Sequence, residues 1–136
     1  MYFPILRGRQ FELLALRECV NKNLLSNKII PIVEPVKVSS TYTKTVDSFI
    51  KAGKPIAVIR NPQVGSWIKD LKKESNAKIR EQASEQLKDA NVISSFYVTS
   101  SYRCSETNQF DVSTIYGNGN CRYINGIHKP GKAITY

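Results

Sequence analysis

The opening of the chain leaves few folds available. Tyr2 to Leu6 is a short apolar run with a proline near its start, and the Arg7-Gly8-Arg9 that follows is turn-like. From Gln10 to Leu25 the residues Phe11, Leu14, Val20 and Leu24, joined by Leu13, Leu16 and Cys19, recur three or four apart. They make one broad apolar stripe, which predicts a helix packed on a sheet. Ser26-Asn27-Lys28 breaks the stripe, and Ile29 to Val33 is a nearly unbroken apolar run, the mark of a strand buried on both faces. Pro31 inside that run argues against a central position, because proline gives no N–H to a ladder.

The alternation continues beyond Glu34-Pro35. Thr41 to Ala52 places Val46, Phe49 and Ile50 on one side, with Gly53 where a helix C-terminal cap belongs. Pro55 to Ile59 is a short, fully apolar strand closed by the turn signal Arg60-Asn61-Pro62. Gly65 to Asp89 supplies one long or two broken helices, with Ser75-Asn76 as the break, and Val92 to Ser100 reads as a fourth strand. This order predicts an α/β fold of parallel (βα) units joined by right-handed crossovers. A closed eight-unit barrel needs roughly 250 residues; the 136 residues here suit half of one. Residues 1–100 are the expected core. Residues 101–136 form an irregular tail packed on it within a single domain, with Phe110 to Tyr116 and Cys121 to Ile124 pairing as a hairpin around Gly117-Asn118-Gly119-Asn120. The open sheet edges require cover, by the tail or by a second copy in a homo-oligomer.

Tyr2-Phe3-Pro4, Leu6-Arg7-Gly8-Arg9-Gln10, Glu12-Leu13 and Ala15-Leu16-Arg17-Glu18, followed by Ile30-Pro31-Ile32-Val33-Glu34-Pro35-Val36, resemble the amino-terminal part of the bacterial and phage "beta protein" family. The resemblance is specific over the first 36 residues and extends, by the spacing of strands and helices, to about Ser100. It implies a barrel-like scaffold cut to half the family's length, without sites built from later strands. A shortened relative of this kind is expected to keep a surface rather than an active site.

Twenty basic residues against eleven acidic ones give a net charge of +9, which favours acidic partners through a long-range, salt-sensitive field. Lys37 to Asn91 holds eleven of the basic residues and six of the acidic ones. Lys69, Lys72, Lys73, Lys78 and Arg80 are the densest positive run, expected on a helical surface opposite Trp67, Ile68 and Leu71. They read as a partner-binding face or as a solvated face that keeps the protein in solution. No segment approaches the ~20 consecutive apolar residues of a membrane span. The basic residues follow the apolar start instead of preceding it, unlike a signal peptide, so the cytoplasm is the expected compartment.

Functional groups in α/β sheets gather at the carboxyl ends of the strands, and Arg7, Glu34 and Arg60 stand there. Two guanidinium groups beside one carboxylate suit an anionic ligand, a phosphate or carboxylate, or else form an internal Arg-Glu-Arg ion-pair cluster. Cys104, Cys121 and His128 have a Cys-x16-Cys-x6-His spacing suited to zinc, with Asp111 or Cys19 as a fourth ligand; free thiols and a disulfide are the competing readings. Cys19 itself, on the apolar stripe, is expected as a small buried core residue. Tyr97, Tyr102-Arg103, Tyr116 and Arg122-Tyr123 either stack bases or complete a core edge.

No catalytic residue is assigned, since the phosphate loop, dinucleotide fingerprint, metalloprotease motif and nucleophile elbow are all missing. The expectation is therefore a non-enzymatic binding protein, carried by a phage or prophage, that inhibits a bacterial nucleic-acid-handling machine. An anti-CRISPR protein acting on a Cas9-type nuclease, a protein or ribonucleoprotein complex, is the example. The alternatives are a degenerate barrel enzyme that binds a phosphorylated or nucleotide ligand, and a protein that binds nucleic acid directly.

Overall fold

The computed structural model describes residues 1–97 and the strand at residues 112–115. Four (βα)-type strands run in chain order: β1 (Ile5–Gly8), β2 (Ile32–Pro35), β3 (Ile56–Ile59) and β4 (Val92–Tyr97). Between them lie α1 (Gln10–Asn21), α2 (Ser40–Lys51), and α3 (Trp67–Leu71) followed by a 3-10 turn (Glu74–Asn76) and α4 (Ala77–Gln86). A fifth strand, β5 (Val112–Ile115), adds to β4. The sheet order is β1-β2-β3-β4-β5, and every pairing is parallel. The expected α/β fold of parallel (βα) units is what forms.

Sequential order with one hand of crossover puts every described helix on the same side of the sheet, as in a barrel and unlike a doubly wound sheet. The core reflects this. Leu13, Leu16 and Val20 of α1, Tyr42, Val46 and Phe49 of α2, Trp67 of α3 and Ala83 of α4 bury against Val33, Ile56, Val58 and Val92 of the strands. The other sheet face carries a second cluster of Ile30, Ile32, Ala57 and Ile59, with Phe3, Ile5, Ile93 and Tyr97 against it. Because side chains alternate along a strand, each buried strand contributes to both clusters, which is why its sequence is apolar without interruption.

Several elements differ from the sequence expectation for identifiable reasons. The first helix stops at Asn21, not Leu25, because Asn23 adopts a left-handed conformation (φ 54°) that Asn tolerates better than most residues. Leu24 is consequently exposed. Phe11 is 82% exposed because it lies two residues, about 200° of helix, from the buried Leu13. Cys19 is only half-buried, one position short of the buried Val20. The second strand begins after Pro31, so the missing N–H falls outside it, and β2 is an inner strand paired on both sides. Ser75-Asn76 does break the long helical segment, as a 3-10 turn. From the segment expected to be a hairpin tail, β5 joins the sheet in parallel with β4; Cys121 to Ile124 lie outside the described residues.

Candidate functional site at the carboxyl edge of the sheet

Parallel register brings Arg7 and Glu34 side by side at the carboxyl ends of β1 and β2. Both belong to the face opposite the helices, two positions beyond Ile5 and Ile32 of the second cluster. Arg60 does not join them. It lies one residue past Ile59 and therefore on the helix-covered side, its guanidinium 5.9 Å from the Phe96 ring centroid, a cation–π contact. The ion pairs among the described residues are Lys22–Glu18, Lys73–Asp70 and Lys88–Glu85, so no internal Arg-Glu-Arg cluster forms.

Glu34 is nevertheless buried, only 4% exposed. Neutral donors satisfy it: the Gln63 backbone N–H donates to Oε1 at 2.8 Å and the Tyr97 hydroxyl to Oε2 at 3.1 Å. Two residues of the β3–α3 loop arrange this. Asn61 donates from Nδ2 to the Tyr97 carbonyl at 2.7 Å and accepts the Tyr97 N–H on Oδ1 at 2.7 Å, copying the pairing of a strand neighbour and fixing where the tyrosine leaves the sheet. Gly65 (φ 79°) lets the loop fold down on Val36, whose carbonyl accepts the Ser66 and Trp67 N–H groups at 2.8 and 3.1 Å. That contact sets the Gln63 N–H over Glu34. Tyr42 and Trp67, with ring centroids 4.7 Å apart, anchor the loop's far end to α2.

Arg7 is exposed, and its side chain has no hydrogen-bond or ion-pair partner among the described residues. Arg9 and Lys37, on the β1–α1 and β2–α2 loops of the same edge, are exposed as well. The edge is thus a basic rim around one buried carboxylate, an arrangement suited to an anionic ligand.

The second candidate surface is partly spent internally. Lys73 binds Asp70 at 2.7 Å and, with the Ser66 hydroxyl, holds that carboxyl below its usual range. Arg80 donates to the Leu71 carbonyl at 2.8 Å. Lys69, Lys72 and Lys78 are exposed, and their side chains have no described partner. Ile68, expected on the apolar side with Trp67, is 45% exposed. Tyr97 completes a core edge. Cys104, Cys121 and His128, with Tyr102, Arg103, Tyr116, Arg122 and Tyr123, lie outside the described residues.

Asn61, Gln63 and the role of Tyr97 in the site carry no motif in the sequence. The available signal was position: Asn61 and Gln63 follow the apolar run Pro55 to Ile59 directly, where a parallel sheet presents its functional loops. Fold and site together define a singly wound parallel α/β protein with a basic carboxyl edge. No family model, curated protein or solved structure matches the chain.

Proposed function

We propose that this is a non-enzymatic binding protein, a phage- or prophage-borne inhibitor that acts in the bacterial cytoplasm on a nucleic-acid-handling machine, as anti-CRISPR proteins act on nucleases. Its scaffold descends, in this reading, from the amino-terminal half of the beta protein family. The observation that carries the proposal is the set Lys69 on α3, Lys72 at its C-terminal cap and Lys78 on α4, exposed and with no described side-chain partner, in a chain of charge +9. Ammonium groups left unspent on a helical surface favour a polyanionic partner. Among the described residues no helix is long and apolar enough to cross a membrane.

The test is binding of the purified chain to a nuclease–guide complex and to naked nucleic acid, followed by a cleavage assay across salt concentrations. The proposal expects a stable complex, inhibited cleavage, affinity that falls steeply with salt, and weaker binding by the Lys69→Ala, Lys72→Ala, Lys78→Ala triple variant. Flat salt dependence with no complex refutes it, and equal binding to naked nucleic acid selects direct nucleic-acid binding instead.

One observation favours a second reading, a phosphorylated or nucleotide ligand at the carboxyl edge: Arg7 stands beside Glu34 without pairing to it. Nucleotides would then raise the melting temperature, since a ligand at about 100 times its Kd adds about 2.7 kcal/mol. Zinc held by Cys104, Cys121 and His128 also stays a proposal. Elemental analysis near one equivalent supports it; absence of zinc removes it.

A further inference from the structure

In a protein of charge +9, the groove between α2 and α4 is acidic. Asp47 and Ile50 from α2 line it, with Gln82, Glu85 and Gln86 from α4 and Asp89 just beyond, around a cavity of about 410 Å³. Its central carboxylate is held in place. Gln86 Nε2 donates to Asp47 Oδ1 at 2.6 Å and to the Thr43 carbonyl at 2.7 Å, while Gln82 Nε2 donates to Asp47 Oδ2 at 3.1 Å. Asp47 has no cationic partner among the described residues, and Lys88 on the rim is engaged with Glu85 at 2.7 Å.

Gln86 supplies an independent sign of a missing partner. It is only 6% exposed, yet its Oε1 accepts no hydrogen bond. Turning the amide over is no remedy, because the oxygen would then face the Thr43 carbonyl and the Asp47 carboxylate, two acceptors. The groove therefore lacks a donor, and a buried acceptor left without one costs about 1–3 kcal/mol.

We propose that this groove receives the guanidinium group of an arginine side chain presented by a partner protein. The unspent capacity at the centre of the groove is all acceptor: each Asp47 oxygen keeps a second lone pair, and Gln86 Oε1 keeps both, while the donors of the lining are engaged, Gln82 Nε2 on Asp47 and Lys88 Nζ on Glu85. A planar fork of five N–H donors can serve these acceptors together, whereas an ammonium serves them as a point charge. Ile50 gives the aliphatic stem an apolar wall. Oε1 is covered in the free protein, and the incoming fork first takes the place of the exposed Gln82 amide, the longer of the two side-chain bonds on Asp47. Among the described residues no three His, Cys, Asp or Glu side chains are grouped to hold a metal ion.

The experiment is a titration of the intact chain with a diarginine peptide, read from the side-chain amide NMR signals of Gln82 and Gln86, with a dilysine peptide alongside. The expected result is saturable shifts of both amides, weaker binding of dilysine, and an affinity loss of about tenfold or more in Asp47→Asn, from removal of a charge-assisted contact. Unmoved amides, equal affinity for dilysine, or unchanged affinity in Asp47→Asn overturns the proposal. Should Asp47→Asn fail to fold by circular dichroism, the exposed Glu85→Gln replaces it, and binding equal to the parent's overturns the proposal. Sedimentation of the chain alone completes the test, since a dimer that Asp47→Asn dissolves would assign the groove to a second copy and overturn the partner-protein assignment. The inference stands apart from the inhibitor reading: lysine-dependent, salt-sensitive binding can fail while arginine binding holds.

Discussion

Replacing Gly65 by alanine tests whether the β3–α3 loop builds the carboxyl-edge site. At φ 79°, a side chain meets the left-handed penalty, about 1–2 kcal/mol for a non-glycine residue. Space adds a larger cost, since a Cβ at this position would lie 2.1 Å from the Val36 carbonyl oxygen and 2.8 Å from its carbon. Those are backbone atoms and cannot swing aside, so the loop must lift. Lifting gives up the two N–H bonds on the Val36 carbonyl, worth about 1 kcal/mol each, and the Gln63 N–H bond to the buried Glu34 carboxylate, worth about 1.5–3 kcal/mol. Partial relaxation recovers some of this, and the expected loss is about 3–5 kcal/mol. Gly53→Ala is the control. Its φ is 62°, but nothing lies within 4 Å of the added carbon, so only the left-handed penalty of about 1–2 kcal/mol applies. Urea denaturation of both variants measures the difference directly. In melting temperature, with about 3–4 °C per kcal/mol for a chain of this size, Gly65→Ala should fall 10 °C or more and Gly53→Ala about 3–8 °C. Equal losses in the two variants would refute the claim that loop contact with Val36 assembles the site.

Three further outcomes are expected. Tyr97→Phe leaves the buried Glu34 one donor short and should cost about 1–3 kcal/mol in urea denaturation; a neutral result would mean that the hydroxyl is dispensable. Arg7→Ala should leave stability within about 0.5 kcal/mol, because the exposed guanidinium has no described partner, while abolishing any stabilisation by nucleotides or phosphate. Burial pushes the Tyr42 phenol up, against a smaller opposing effect of Arg60. The neutral phenol is thus favoured in the folded state, and its contribution is complete below the unfolded pKa of about 10 and falls as pH rises beyond it. Urea midpoints between about pH 8 and 11 should decline more for the parent than for Tyr42→Phe; parallel profiles would contradict the burial argument.

The fold was legible because its signals are local. Uninterrupted apolar runs marked β2 and β3, and the 3.6-residue stripe marked α1 and α2, since burial on two faces or one dictates those patterns. What was not legible depended on phase. Phe11, Cys19 and Leu24 share apolar chemistry with Leu13, Leu16 and Val20, and only the angle around the helix, with the left-handed Asn23 that ends it, separates exposed from buried. The parallel attachment of β5 to β4 is a non-local pairing that no short window encodes.

Phase also hid part of the carboxyl-edge site. Position at a strand end is readable from sequence, but the face is set by a period of two, and one residue of phase sends Arg60 to the helix side while Arg7 and Glu34 share the other. This separation decides the electrostatics of the edge. Had Glu34 been satisfied by two arginines, the cluster would have been inward-looking, its positive charge cancelled and its stability lost with either partner. Neutral donors from Gln63 and Tyr97 hold the carboxylate instead, and the basic groups of Arg7, Arg9 and Lys37 are not consumed in holding it. A buried acid supported in this way anchors the loop, and the exposed arginine beside it keeps its hydrogen-bonding fork unspent.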